Sequence, residues 1–183
     1  MGPRGIPTEY KGIIYRSRHE ARYAALWDWL GWRHTYEPFD ADGYIPDFLI
    51  EGDYPLIVEV KPAATRDELE AEIPKVLAGL KKHWQHDFLL VGYSPFPSFD
   101  DVMSGEDIPV IGLLSDENGW SDVGPGHWFR CRECNTIGVF HGEGSYRGRP
   151  CGHWVGDHHL GSVNVDFIRE GWIHACNVTK WRP

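Results

Sequence analysis

Residues 44–61 read YIPDFLIEGDYPLIVEVK, two apolar runs of strand character with charges set inside them. Asp47 interrupts the first run, and Glu59 and Lys61 interrupt the second. A strand packed into a core excludes such groups unless something pairs with them. The turn-rich EGDYP between the runs fits an antiparallel hairpin. Alternation along the second strand places Leu56, Val58 and Val60 on one face and Ile57, Glu59 and Lys61 on the other. Asp47, on the neighbouring strand, then meets Glu59 and Lys61 at one edge of the sheet. Two readings stay open here: a solvated charge pair on amphipathic strands, or a polar cluster whose desolvation a ligand offsets. Two carboxylates suit Mg²⁺, and an adjacent lysine suits a water-activating or phosphate-stabilising role.

Upstream, SRHEARYAALWDWLGW (17–32) predicts a helix with Ser17 as N-cap, Glu20 at the capping-box position and Gly31 as its end. Short strand runs follow at 33–38, 44–50 and 56–61. TRDELEAEIPKVLAGLKKHW (65–84) predicts a second helix, with a capping box from Thr65 and Glu68 and a break at Pro74. DFLLVGY (87–93) is a further strand, and IPVIGLL (108–114) is expected to add one at the sheet edge. The order α-β-β-β-α-β predicts an α/β fold with a mixed sheet. A polar, glycine-rich stretch precedes all four cysteines, so a boundary is placed near residue 117: a core over 1–116, and a second module over 117–183 that ends in a helix.

The net charge of −9 is unevenly spread. Residues 1–40 hold six Lys/Arg against five Asp/Glu, residues 41–126 five against 17, and residues 127–183 seven against five. The acidity therefore lies in the middle, and both ends are free to meet phosphates. No apolar run approaches a membrane span, and MGPRGIPTEYKG lacks the apolar segment of a signal peptide, so a cytoplasmic protein with reduced cysteines is expected.

The Pro-Asp pair, eleven residues and then Glu-Val-Lys, behind a helix that carries a glutamate, resembles the PD-(D/E)XK nuclease superfamily. YRSRHEARYAALWDWLGW, TYEP, YIPDFLI and VEVK look more narrowly like a phage-encoded group within it. The resemblance covers residues 13–93 and implies a restriction-endonuclease-like core. It implies that Asp47, Glu59 and the backbone carbonyl of Val60 hold a catalytic Mg²⁺ (or Mn²⁺). Lys61 would position or deprotonate the attacking water and offset transition-state charge. Glu20 would hold a second metal or a metal-bound water, a role that competes with capping at Ser17. DNA of unspecified form is the implied substrate, in a phage-infected bacterial cell, with a second copy of the chain or a replication–recombination protein as further partners.

CREC (131–134) and, sixteen residues later, CGH (151–153) follow the pattern of a structural Zn²⁺ ribbon. Such a short region lacks a core of its own, and a metal supplies the folding energy. In the phage group a similar module usually carries a second CxxC, but here Gly148 stands where its first thiolate would be. His153 is the nearest substitute beside Cys131, Cys134 and Cys151; His141, His158, His159 and Cys176 stay open. Arg130, Arg132, Arg147 and Arg149 flank the module and are candidate phosphate contacts. The expected function is a Mg²⁺-dependent DNA nuclease; the alternative is a non-catalytic or partner-dependent nucleic-acid-binding protein on the same fold.

Overall fold

Ser17 opens helix α1 (Arg18–Leu30) by accepting a hydrogen bond from the Glu20 N–H, and Gly31 closes it in the left-handed conformation at φ 72°. These details come from a computed structural model that describes residues 5–80, 83–96, 109–115, 123–141, 147–154 and 160–180. The chain forms two compact units, one from residues 1–34 with 164–183 and one from residues 35–163.

The first unit begins with strands β1 (Thr8–Tyr10) and β2 (Ile13–Tyr15), an antiparallel hairpin that the sequence analysis left unassigned. Its turn places Lys11 and Gly12 at positive φ, the geometry favoured between two twisted strands, with a residue pair less telling than Asn-Gly. Helix α4 (Val165–Val178) matches the expected C-terminal helix and is capped by Asn164. It packs on α1 through aromatic side chains. The Trp29 indole donates to the Phe167 carbonyl at 3.2 Å, and Tyr23 lies 5.0 Å from Trp172 between ring centres. Gly171 makes the approach possible, because a Cβ there would come within 2.4 Å of the Trp29 ring.

The second unit is built on a mixed sheet. Its strands are β3 (His34–Tyr36), β4 (Phe48–Ile50), β5 (Leu56–Val60), β6 (Phe88–Val91), β7 (Val110–Ser115), β8 (Val123–Cys131), β9 (Ile137–His141) and β10 (Leu160–Gly161). They run β10-β8-β7-β6-β5-β4-β3, with β9 paired to β8. β4 and β5 form the expected antiparallel hairpin, whereas β5 and β6 are parallel and joined by α2 (Arg66–Glu70) and α3 (Ile73–Leu80). The expected second helix is thus two: the Thr65–Glu68 capping box starts the first, and Pro74 lies in the opening turn of the other. Leu69, Val76 and Leu80 from these helices cover Ile57, Phe88, Leu90 and Leu113 of the sheet.

β7 departs from expectation. It lies inside the sheet, pairing with β6 on one side and β8 on the other, and all but its first residue are buried. The boundary expected near residue 117 falls in a segment outside the described residues, and the strands on its two sides pair within one unit.

At the start of β6, Asp87 is fully buried and receives the Arg149 guanidinium through Nε at 2.8 Å and through Nη2. Its other oxygen accepts from the Ser115 hydroxyl at 3.3 Å. Arg149, also fully buried, stacks over Tyr54 at 5.0 Å from the ring centre, and the Tyr54 N–H donates to the Pro150 carbonyl. Removing one member of a buried pair strands the other charge, at a cost of about 3–5 kcal/mol. Arg149→Met is therefore expected to lose that much stability in urea unfolding, and adding Asp87→Leu to recover at least half of it.

Candidate active site and metal centre

Continuing the register of the β4–β5 hairpin, in which Phe48 faces Val58, places Asp47 opposite Glu59. Asp47 is 6% exposed and Glu59 is 2% exposed, so neither is a solvated surface charge. The Asp47 carboxylate accepts the Val60 N–H at 2.8 Å, which ties it across the hairpin to the end of β5. Lys61, its side chain 12% exposed, lies on the Glu59 face as the strand alternation requires, and its Nζ donates to Glu59 Oε2 at 2.9 Å. Glu59 Oε1 is buried and makes no hydrogen bond. An unsatisfied buried carboxylate oxygen costs of the order of 1–3 kcal/mol or more, a debt that a cation or a proton donor removes. Burial pulls the pKa of Lys61 down, but the charges of Glu59, Asp47 and Glu72 outweigh it and the net shift is upward. The side chain is therefore an ammonium, equipped to donate hydrogen bonds and offset negative charge.

Two further residues join this group. Tyr44 is carried in by a tight turn in which Asp42 and Gly43 both have positive φ and Ala41 and Tyr44 exchange backbone hydrogen bonds. Its ring lies flat on α3, where Gly79 is required: a Cβ there would come within 2.3 Å of the ring. The Tyr44 hydroxyl is buried beside Glu59, close enough for that carboxylate to shift its ionisation by charge and as a hydrogen-bond acceptor. Neither it nor Glu59 Oε1 has a hydrogen bond of full geometry. Burial, then Glu59, Asp47 and Glu72, push its ionisation far above the ordinary range, so it stays a phenol. The Asp-Gly pair three residues before Ile45-Pro46 was the available sequence signal for this turn. Glu72, half-buried between α2 and α3, contributes the third negative charge. Oxygen donors of this kind suit a hard divalent cation, and the orphaned Glu59 oxygen is the position such an ion would satisfy.

Glu20 belongs to the other compact unit. There it is buried, its backbone N–H donates to Ser17, and its Oε2 accepts from the Arg16 N–H at 3.1 Å. The capping role is present, with Arg16 rather than Ser17 supplying the return hydrogen bond.

The cysteines meet at the tip of the β8–β9 hairpin. Cys131, Cys134, Cys151 and His153 present ligand atoms all within 4.8 Å of one another, a cluster that can hold a zinc ion. Hydrogen bonds from the Asn135 N–H to the Cys131 carbonyl and from the Cys131 N–H to the Thr136 carbonyl, both 2.8 Å, shape the first knuckle. The second knuckle closes through Gly152 N–H to the Gly148 carbonyl at 2.7 Å. A Cβ at Gly148 would lie 2.2 Å from the end of the Phe129 ring, so a side chain there requires that ring to shift. His153 supplies the fourth candidate ligand, with Nδ1 3.5 Å from Cys131 Sγ and Nε2 3.5 Å from a Glu133 oxygen. Of the other candidates, His158 and His159 lie outside the described residues, His141 is in β9 and Cys176 is in α4.

Among the flanking arginines, Arg130, Arg147 and Arg149 bond groups of the protein. Arg130 donates to the Asn135 carbonyl and side chain, Arg147 to the Gly152 carbonyl, and Arg149 is buried against Asp87. The expectation that Arg149 meets phosphate is thereby overturned, since its guanidinium has no access to solvent.

Burial raises the Cys134 thiol, but hydrogen bonds from Thr136 outweigh it and hold the thiol at about 6. Burial carries the Cys151 thiol up to about 12. The metal-free protein thus keeps Cys134 largely as thiolate and Cys151 as thiol near neutral pH, and binding must expel the Cys151 proton. Because at least the Cys151 proton is expelled, apparent zinc affinity is expected to rise at least about tenfold from pH 7 to pH 8 in competition with a chelating dye. Cys151→Ala is expected to lower the metal content below one equivalent and to remove part of the thiolate-to-metal absorption of the cobalt-loaded protein.

Comparison with protein-family models, with curated proteins and with solved structures finds no match to the chain.

Proposed function

We propose that this protein is a Mg²⁺-dependent DNA nuclease of the PD-(D/E)XK type, with a restriction-endonuclease-like core. The observation that carries the reading is the buried Glu59 carboxylate, with one oxygen held by Lys61, the other without a hydrogen bond, and Asp47 opposite in register. Asp47, Glu59 and the Val60 carbonyl would hold the ion. Bound there, Mg²⁺ would polarise the scissile phosphate and lower the pKa of the attacking water.

The chain's own groups divide the remaining work. The Val60 N–H fixes one Asp47 oxygen, so this carboxylate is oriented before any ligand arrives. Lys61, held as an ammonium, donates to phosphate oxygens as negative charge builds on them. Glu59 orients Lys61 at 2.9 Å and leaves Oε1 for the ion. Leu69, Val76 and Leu80 of α2 and α3 cover Ile57, on the same face of β5 as Glu59. The alternative reading is a protein that binds nucleic acid without cutting it; the 17 acidic residues in positions 41–126 repel phosphate in either case unless cations screen them.

The deciding experiment is cleavage of labelled duplex, single-strand, flap and four-way-junction DNA with Mg²⁺, with Mn²⁺ and without added divalent metal. Metal-dependent products are expected, with rates at least about 100-fold lower for Asp47→Ala, Glu59→Ala and Lys61→Ala. Glu20→Gln separates the two roles of that residue, because the amide still accepts from Arg16 but loses the charge. A wild-type rate for Glu20→Gln would leave capping as its function. Failure to cut any substrate with the fold intact would favour the binding protein.

A further inference from the structure

Helix α1 is covered almost all round. From Arg18 to Trp27 only Arg18, His19 and Arg22 are not buried, so solvent reaches this stretch along one cationic stripe. Arg18 and Arg22 lie one turn apart on the same face, with Cβ atoms on the order of 6 Å apart. The Nε of each is buried and has no hydrogen-bond partner. The nearby carboxylate, Glu20, is engaged by the Arg16 N–H at 3.1 Å, with Arg16 Nε at 3.9 Å. Burial, then Arg22 and Arg18, hold the His19 imidazole below its ordinary pKa against the opposing effect of Glu20.

Each half-buried guanidinium has one hidden N–H, at Nε, without an acceptor in the protein. A tetrahedral anion satisfies the planar fork of each with paired N–H···O bonds, which an ammonium group does not reproduce. We infer that Arg18 and Arg22 form a phosphate clamp that holds the phosphodiester backbone of a nucleic acid. The inference rests on the proposed function for its choice of ligand, and it adds a binding surface in the unit that does not carry Asp47, Glu59 and Lys61.

The test is fluorescence anisotropy of labelled duplex and single-strand DNA with the full chain, without added divalent metal, from 50 to 200 mM KCl. Inorganic phosphate and a mononucleotide serve as competitors, and melting curves check folding. For Arg18→Ala/Arg22→Ala we expect about tenfold weaker binding per lost contact near 0.1 M salt, and a fall of about 0.9 per contact in the slope of log affinity against log salt on duplex. Arg18→Lys/Arg22→Lys is expected to keep the slope and lose part of the affinity, which distinguishes lost contacts from lost folding. Affinity and slope unchanged in the alanine variant would overturn the clamp while leaving the nuclease reading intact. Arginine-dependent binding of free phosphate or mononucleotide, without binding of either DNA, would overturn the backbone assignment and the nuclease reading together. Arginine-dependent DNA binding in a protein that cuts nothing would sustain the clamp and remove the nuclease reading.

Discussion

A carboxylate and a guanidinium with no access to solvent, Asp87 and Arg149, hold the segment that carries Cys151 to the start of β6. The pair is expensive to bury, and its full set of hydrogen bonds is what makes it tolerable. From it the structure extends in two directions. Ser115 links Asp87 to β7 and also accepts the Phe88 N–H, which fixes the start of β6. Arg149 stacks on Tyr54, and Pro150 accepts the Tyr54 N–H at 3.1 Å, which clamps the turn between β4 and β5. Gly52 allows that contact, since a Cβ there would lie 2.2 Å from the Pro150 carbonyl oxygen. The hairpin that carries Asp47 and Glu59 is thus anchored at its turn by the segment that carries Cys151.

The same physics, charge withdrawn from water, has a different outcome at the other end of that hairpin. Asp87 is saturated, with both oxygens occupied. Glu59 is not, because Lys61 satisfies one oxygen and the second has no donor. A saturated buried charge is a structural joint, whereas an unsaturated one marks a place where the fold retains unfavourable energy that a ligand can relieve.

What could be read from the chain follows the range of each interaction. Helix α1, the Thr65 capping box, the break before Pro74 and the pairing of β4 with β5 are set by neighbours a few residues away, and their residue types announce them. The carboxylates and lysine of the candidate site were legible for the same reason, since alternation along one strand places Glu59 beside Lys61. The ligand set Cys131, Cys134, Cys151 and His153 was legible only as one option among several. The choice depends on residues 147–153 folding back on the β8–β9 hairpin, where Arg149 bridges Val139. The interior position of β7 depends on β8, and the Asp87–Arg149 pair spans 62 positions. Neither leaves a periodic trace. Tyr44 sat inside the stretch that decided the reading, but a tyrosine ahead of a turn looks like any core aromatic until Gly79 is seen beneath it.

The glycine at 148 also has an electrical consequence. Three thiolates and one neutral imidazole around a divalent zinc leave a net charge of −1, where four thiolates would leave −2. Within a Debye length of about 8–10 Å, that difference acts on any polyanion approaching the hairpin tip. In a chain that already carries nine excess negative charges, zinc held by three thiolates and His153 would leave the hairpin tip less negative than a four-thiolate site would.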